Sequence, residues 1–215
     1  MIKMNIFHAL LEEKIREFYE YIDIMESSIK VNEKKIKNEF EEQSKNLTDE
    51  NADELLQHVF LDPIISYTET FPFILRKSLY LSLYSFVETE LSSIAYRLEK
   101  KHPKEIKIND LKHKGIRLYI FYIENVQQIQ LNLSSKQREN FIQYNTLRNY
   151  FAHNEGSKIN PQRISQLEYY EFKKFFPDQE EIHVSGLKKE FNQEFLGDLQ
   201  QLFKNIYNAI GEWEI

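Results

Sequence analysis

Cysteine is absent from the sequence, and only five glycines and five prolines occur in its 215 residues. Without cysteine the chain can form neither disulfides nor zinc sites with thiolate ligands, and this composition fits a reducing compartment. Glycine and proline are the residues that most often interrupt helices, so their scarcity favours long helices. We therefore predict an all-α fold in a chain that is long enough for one full domain.

Long hydrophobic runs are also missing. The most apolar stretch, residues 79–87, contains serines and is far shorter than the roughly 20 residues that a membrane-spanning helix needs. Residues 1–11 contain a short apolar run, but they have no small-residue cleavage site and lead directly into charged residues, unlike a signal peptide. We therefore expect a cytoplasmic protein that does not bind membranes.

Motifs for several kinds of chemistry are missing as well. The sequence has no glycine-rich phosphate loop and no nucleophile elbow, and its six histidines lie too far apart to predict a metal site. We accordingly expect no cofactor and no metal. The net charge of −6 provides no general attraction for nucleic acid, so RNA binding would require a local basic patch.

Residues 4–45 predict one long helix, because Glu and Lys dominate and no glycine or proline occurs before Pro63. Its apolar residues follow the four-three spacing of a heptad: Leu11, Ile15, Phe18, Ile22, Met25, Ile29 and Ile36. This stripe has two interpretations, a dimerising coiled coil whose register is set by Asn32, or packing on the chain's own bundle. We divide the chain into residues 1–50, the long N-terminal helix, and residues 51–215, a helical domain.

The middle of the chain predicts three further helical segments. Thr48 is suited to cap a helix over residues 49–61. Pro63 and Pro72 then predict a connector, and residues 73–101, which are apolar on nearly all sides, predict a central buried helix. A helix rich in tyrosine and phenylalanine is expected over residues 116–129.

The C-terminal third predicts two long helices and a small hairpin. Ser134 and Gln137 have the spacing of a capping box, which should open a helix that runs to about residue 153. Residues 169–175 and 180–184 predict two short strands of a β-hairpin. Residues 187–213 predict the last helix, in which Gly197 indicates close packing against a neighbouring helix.

Three residues that suit chemistry on an anion lie near the end of the helix that begins at the capping box. Arg148, Asn149 and His153 come just before Gly156, a helix-stopping residue. A guanidinium is a permanent cation that binds phosphate well, and an imidazole can transfer protons near neutral pH. Asn149 and His153, four residues apart, share a helix face, whereas Arg148 and His153 should diverge by roughly 140°.

The side chain of Arg148 also needs a partner for its charge. It lies beside the apolar stripe of its helix, where a guanidinium must find a carboxylate, a carbonyl or a phosphate. Glu88 shares a face of the central helix with apolar residues, so it needs a partner too. We predict that these two residues form an ion pair, which would either aim the guanidinium at a ligand or serve a purely structural purpose.

An arginine and a histidine separated by four to six residues, the first of them polar, form the active-site signature of the HEPN superfamily. Residues 148–153 resemble this signature at its shortest spacing. Residues 79–98 and 115–126 look like the helices that precede the motif in prokaryotic members. The resemblance covers about residues 70–215 and implies an up-and-down helical bundle.

The resemblance also implies an activity. Members of this superfamily are often metal-independent endoribonucleases, acting as toxins or antiviral defence effectors, and two motifs face each other across a homodimer. It implies that His153 is the acid or base, Arg148 the phosphate ligand and Asn149 an orienting group. A separate antitoxin or regulator protein would be a further partner.

Other residues are candidates for holding the RNA. A basic cluster around Gly115 contains Lys112, Lys114 and Arg117, which either hold an RNA backbone or form a solvated turn. Tyr150, inside the motif, is a further candidate for RNA binding. The alternative function is a non-catalytic helical module that binds a protein partner or RNA. In that case Arg148 would be structural and His153 would have no chemical role.

Overall fold

The computed structural model describes residues 6–153, 159–165, 167, 170–173 and 183–210. Within them the chain forms seven α-helices: α1 (Ile6–Ser44), α2 (Asp49–Leu55), α3 (Leu61–Ile65), α4 (Phe71–Lys101), α5 (Ile116–Phe121), α6 (Ser135–His153) and α7 (Lys189–Ile210). A two-stranded antiparallel sheet, β1 (Tyr170–Lys173) and β2 (His183–Leu187), precedes α7. The fold is an all-α helical bundle with a long N-terminal helix and a small β-hairpin, as predicted.

Helix α1 packs on its own chain over the first half of its apolar stripe. Leu11, Ile15 and Ile22 are buried in the main core. The Tyr19 hydroxyl reaches the Gln193 carbonyl of α7, at 3.4 Å. Packing within one chain therefore accounts for this part of the stripe. The proposed boundary between residues 50 and 51 stays a prediction.

Asn32 has a local hydrogen bond, and the second half of α1 meets the next helices. The Asn32 amide donates to the Ser28 carbonyl of its own helix, at 2.8 Å. Phe40 packs edge-on against Phe60, with ring centroids 5.5 Å apart. A register-setting contact of Asn32 with a second chain stays a prediction.

The connector expected at Pro63 and Pro72 is wrong, because the helix continues through both prolines. Thr48 caps α2 as predicted, and the backbone then stays helical to Lys101 through wider turns at Leu56–Phe60 and Ser66–Thr70. In these turns the Leu61 and Phe71 amides bond to carbonyls five residues back. A wider turn accommodates a proline because the proline lacks an amide hydrogen and its ring crowds the preceding turn.

Helix α4 is the central element, as expected. Its inward residues are buried and include two tyrosines whose rings pack against the neighbouring helices. Tyr80 lies within 5.0 Å of the Phe191 ring and 5.2 Å of the Phe195 ring of α7, measured between centroids. Burial of large aromatic rings contributes strongly to stability, so α4 organises the bundle around it.

Helix α6 begins at the predicted capping box. The Gln137 amide donates to the Ser134 hydroxyl at 3.2 Å, and the Ser134 amide donates to the Gln137 side chain at 3.0 Å. The preceding helix ends earlier than the predicted residue 129. After α5 and a wider turn at Tyr122–Val126, Gln128 adopts a left-handed conformation with φ of 61°, which cannot continue a helix.

The hairpin lies close to its predicted place, and its strands pair Tyr170 with Leu187 and Lys173 with His183. Residues 169, 174–175 and 180–182 of the predicted strands lie outside the described residues, as do residues 211–213 of the predicted last helix. A pair that the sequence analysis missed ties the hairpin to the helices. Arg76 binds Glu26 of α1 through two hydrogen bonds of 2.6 and 2.7 Å and donates to the Leu187 carbonyl at 2.7 Å.

Gly197 is not in the close helix contact that its position predicted. A Cβ added there would lie 3.9 Å from the Tyr19 hydroxyl, an ordinary van der Waals distance. The residue therefore carries the entropic cost of glycine in a helix without a steric reason for it.

Replacing Gly197 with alanine should stabilise the protein by about 1 kcal/mol, because alanine has the higher helix propensity and the methyl group has room. Thermal unfolding followed by circular dichroism should show a melting temperature about 2 to 4 °C higher. Gly115→Ala is the opposite control, since Gly115 has a φ of +64° and a Cβ there would lie 2.5 Å from Asn145. A lower melting temperature for Gly197→Ala would contradict this prediction.

Among the described residues, no helix combines the length and the apolar character that crossing a membrane requires.

Candidate functional site

Two tyrosines of α4 hold α6 in place and thereby position the motif. The buried Tyr80 hydroxyl donates to the Tyr144 carbonyl at 2.5 Å. The Tyr84 hydroxyl donates to the Asn145 side chain at 2.7 Å. These bonds lie on the turn of α6 that precedes Arg148, so they define which side of α6 faces α4.

The Arg148 guanidinium contacts two residues of α4, Glu88 and Tyr84. One terminal nitrogen, Nη2, lies 3.7 Å from the Glu88 carboxylate, which confirms the predicted ion pair. The guanidinium carbon lies 5.5 Å from the centre of the Tyr84 ring, a cation–π distance. The Glu88 and Arg148 side chains are 31% and 30% exposed, so water screens this pair and it contributes less than a buried pair would.

Asn149 contacts the same guanidinium. Its side-chain oxygen accepts a hydrogen bond of 3.0 Å from Nη1 of Arg148. Because an amide oxygen attracts one N–H group, it limits how the guanidinium can rotate. Asn149 therefore orients Arg148, which is compatible with the orienting role expected from the sequence.

His153 meets Arg148 directly, and the predicted divergence of these two side chains is wrong. Nε2 of the imidazole lies 3.4 Å from Nη1 of Arg148. Positions five residues apart point in different directions around a helix, but the arginine side chain is long enough to reach the imidazole. This contact is a hydrogen bond only when Nε2 carries no proton, because the guanidinium can donate but not accept. The motif thus brings one cation and one imidazole together.

The basic cluster lies close to Arg148 because the backbone of Gly115 packs against Tyr84. A Cβ on Gly115 would be 2.7 Å from the Tyr84 hydroxyl, so this backbone packs directly against the side chain that lies under Arg148. The Ile116 amide also donates to the Tyr84 hydroxyl, at 3.4 Å. Around this contact the side chains of Lys112, Lys114 and Arg117 are exposed.

Tyr150 does not fit its expected place in an RNA site. Its side chain is only 7% exposed, and its hydroxyl accepts a hydrogen bond of 3.2 Å from the Val184 amide of β2. Its ring also packs 5.4 Å from that of Phe151. A residue buried between α6 and the hairpin has no free ring face for a base, so this candidate is wrong for the described conformation.

Sequence reasoning missed Tyr84, whose ring contacts the Arg148 guanidinium, and Asn145, which accepts the hydrogen bond of the Tyr84 hydroxyl. Tyr84 and Asn145 are not part of any motif, and only the position of Tyr84, one turn before Glu88, could have indicated its role. Gly115 could have been found from its place in a basic run, since a glycine there indicates a special backbone conformation. Gly156, expected to end α6, lies outside the described residues.

Burial shifts the ionisation of the tyrosines under the site. It raises the pKa of Tyr84 above the usual value of 10.0, with the Glu88 charge adding to the effect and Arg148 and Arg117 opposing it. Burial also raises the pKa of the fully buried Tyr80 well above 10.0. Both hydroxyls therefore keep their protons in the folded state at pH values where an unfolded tyrosine loses its proton.

The stability of the protein should consequently fall as the pH rises above about 10, the pKa of an unfolded tyrosine. The folded state then binds more protons than the unfolded state, so each further pH unit costs up to about 1.4 kcal/mol for each such tyrosine. Urea unfolding between pH 8 and about pH 11 measures this slope. Tyr84→Phe should make the slope shallower, and an unchanged slope would contradict the raised pKa.

Within the described ranges, no group of three or more histidine, aspartate or glutamate side chains is arranged to hold a metal ion. The class of protein that the fold and the site define is a helical bundle with an arginine–histidine pair at the end of α6. Comparison with protein-family models, curated proteins and solved structures gives no match.

Proposed function

We propose that this protein is an endoribonuclease that cleaves RNA through the 2′-hydroxyl without a metal ion. The observation that supports this best is the 3.4 Å contact between Nη1 of Arg148 and Nε2 of His153. A fixed cation and an imidazole at this distance can both reach one phosphodiester. The proposal follows the resemblance of residues 148–153 to the HEPN signature, and it includes a role as a toxin or antiviral defence effector. We place this activity in the cytoplasm, as the composition of the sequence led us to expect.

The proposed chemistry needs these two groups in different roles. A phosphate oxygen of RNA binds the Arg148 N–H group in place of the imidazole, which frees Nε2 of His153. Nε2 takes the proton of the 2′-hydroxyl, the 2′-oxygen attacks phosphorus, and the bond to the 5′-oxygen breaks. Arg148 stabilises the charge that grows on the phosphoryl oxygens. The products are a 2′,3′-cyclic phosphate and a free 5′-hydroxyl.

The leaving 5′-oxygen needs a proton at the same time. One imidazole that has just accepted a proton from the 2′-hydroxyl is on the attacking side and cannot also protonate the opposite side in the same step. A second copy of the motif would supply this proton, which favours the homodimer that the resemblance implies. A separate antitoxin or regulator would then act by covering the shared cleft.

The second candidate function is a non-catalytic module that binds a protein or RNA. The ion pair of Arg148 with Glu88 and its contact with the Tyr84 ring favour it, because these contacts already satisfy the guanidinium. In this case the loss of Arg148 would lower stability by about 1 kcal/mol, the amount expected for a partly exposed pair, and would change no activity. Nuclease assays therefore separate the two candidates.

Replacing His153 with alanine should reduce RNA cleavage by on the order of 10² to 10⁴-fold, because the reaction loses its proton acceptor. The measurement is cleavage of a labelled RNA in EDTA, with the ends of the products identified by mass. His153 is exposed at the end of α6, so the melting temperature should not change. His58→Ala, at another exposed histidine, is the matched control and should cleave normally.

Two outcomes would contradict the proposal. Cleavage that persists in His153→Ala would show that the imidazole is not the base. Cleavage that stops when EDTA is added to the wild-type protein would show that the reaction needs a metal ion.

Mixing the wild-type protein with each variant tests the shared cleft. In a dimer of wild type and Arg148→Ala, one copy keeps the complete Arg148–His153 pair and the other still offers an imidazole for the leaving oxygen, so this dimer should cleave RNA. In a dimer of wild type and His153→Ala the second imidazole is missing, so this dimer should cleave far less. Each mixture is unfolded and refolded with an excess of the variant, so that few wild-type homodimers form. Equal cleavage by the two mixtures, with mixed dimers demonstrated by mass, would contradict a shared site.

A further inference from the structure

A groove lies between α5 and the first half of α6. It encloses a cavity of about 220 Å³. Its lining includes cationic, aromatic and aliphatic side chains, namely His113, Arg117, Phe121, Leu133, Arg138 and Ile142. We call it the α5–α6 groove. A cavity that combines apolar walls with cations at the rim suits a ligand with a flat apolar part and an anionic part.

The cations of this groove differ in whether they are already paired. Arg138 forms a two-bond ion pair with Glu124, at 2.5 and 2.7 Å. Arg117 also lines the groove, and Lys112 and Lys114 lie beside it in the sequence. These three have no ion-pair partner in the part of the chain that the structure describes, and all three are exposed. In a chain with a net charge of −6, this gathering of unpaired cations is a local feature that attracts anions.

The apolar part of the groove is built from rings and a partly exposed aliphatic side chain. His113 lies against Phe121, with centroids 4.5 Å apart and the ring planes at 42°. Ile142 is 36% exposed on the opposite wall, on α6. Nucleobases bind such surfaces by stacking and apolar contact, and this binding tolerates any sequence because every base has a flat face.

The groove and the Arg148–His153 pair are neighbours on α6. Ile142 lines the groove and Arg148 follows it by six residues, which places them about 9 Å apart along the helix axis and about 120° apart around it. The backbone of Gly115 packs against Asn145, which lies between them on α6, and this contact brings the basic cluster alongside. One strand of RNA that follows the basic cluster can therefore contact both the groove and the pair.

We infer that the α5–α6 groove is a subsite for single-stranded RNA, which receives a base beside His113 and Phe121 while Arg117 holds an adjacent phosphate. This inference rests on the proposed function, because it assigns the groove to the same RNA strand that Arg148 and His153 cleave. Because Tyr150 is buried, the groove and not Tyr150 is the place where a base binds. The strand is single because a base paired in a duplex cannot turn into a cavity.

Binding is measured separately from cleavage to test this subsite. The His153→Ala protein leaves RNA intact, so its dissociation constant can be read from the fluorescence anisotropy of a labelled single-stranded RNA of about 12 nucleotides. Adding Arg117→Glu should weaken binding at least tenfold. It should also lower the slope of log affinity against log salt concentration by about 0.7 for the lost phosphate contact. Phe121→Leu, which keeps an apolar side chain but removes the ring, should weaken binding about fivefold or more.

Arg16→Glu is the matched control. Arg16 is exposed on α1, and its replacement changes the net charge by the same amount as Arg117→Glu. Binding within twofold of the parent would therefore show that the location of the charge, and not the net charge, determines RNA affinity. A blunt RNA duplex of the same sequence should bind at least tenfold more weakly than the single strand, because its bases cannot enter the cavity. Equal binding of duplex and single strand overturns the inference, as does equal weakening by Arg16→Glu and Arg117→Glu.

The same data separate this inference from the proposed function. Binding that depends on Arg117 and Phe121, in a protein whose wild type cuts no RNA, supports the subsite and contradicts the nuclease. Cleavage that depends on His153, with binding indifferent to Arg117 and Phe121, supports the nuclease and overturns the subsite.

Discussion

The hydroxyl groups of Tyr80 and Tyr84 are the constraint on which the arrangement of the site depends. Both tyrosines lie on the buried side of α4, where an unpaired hydroxyl would cost free energy, so each must find an acceptor within the protein. The acceptors are on consecutive residues of α6, Tyr144 and Asn145. These two hydrogen bonds fix the rotation of α6 about its own axis. In that rotation Arg148 lies over the Tyr84 ring and beside Glu88.

The environment of Arg148 is intermediate between that of a structural and that of a functional arginine. A carboxylate, an aromatic ring and an amide oxygen restrain the guanidinium, so it is ordered without a ligand. The side chain nevertheless keeps almost a third of its surface in water and ends beside an imidazole. A restrained cation loses little conformational freedom when an anion binds, which is what preorganisation of a phosphate site requires.

Charge is distributed unevenly over this acidic chain. Most surface cations of α1 pair with carboxylates a turn away, as Lys14 does with Glu17 and Lys37 with Glu33. Such pairs keep the helix surface close to neutral and contribute little to affinity for an anion. The exposed cations near Gly115 are different, because no carboxylate of the described residues lies within ion-pair distance of them. A polyanion would therefore meet a local attraction that the net charge conceals.

The sequence by itself determined the helical class, the Thr48 cap of α2, the capping box of α6, and the arginine, asparagine and histidine of the motif. These features are local, because hydrogen bonds within one turn and the scarcity of helix-breaking residues decide them. The pairing of Arg148 with Glu88 was also predictable, since each charge needed a partner. Only the tertiary structure decided that Tyr150 is buried, that the helix passes through Pro63 and Pro72, and that Arg148 reaches His153. Those outcomes depend on which groups the packing of distant segments brings together, and spacing along one helix does not contain that information.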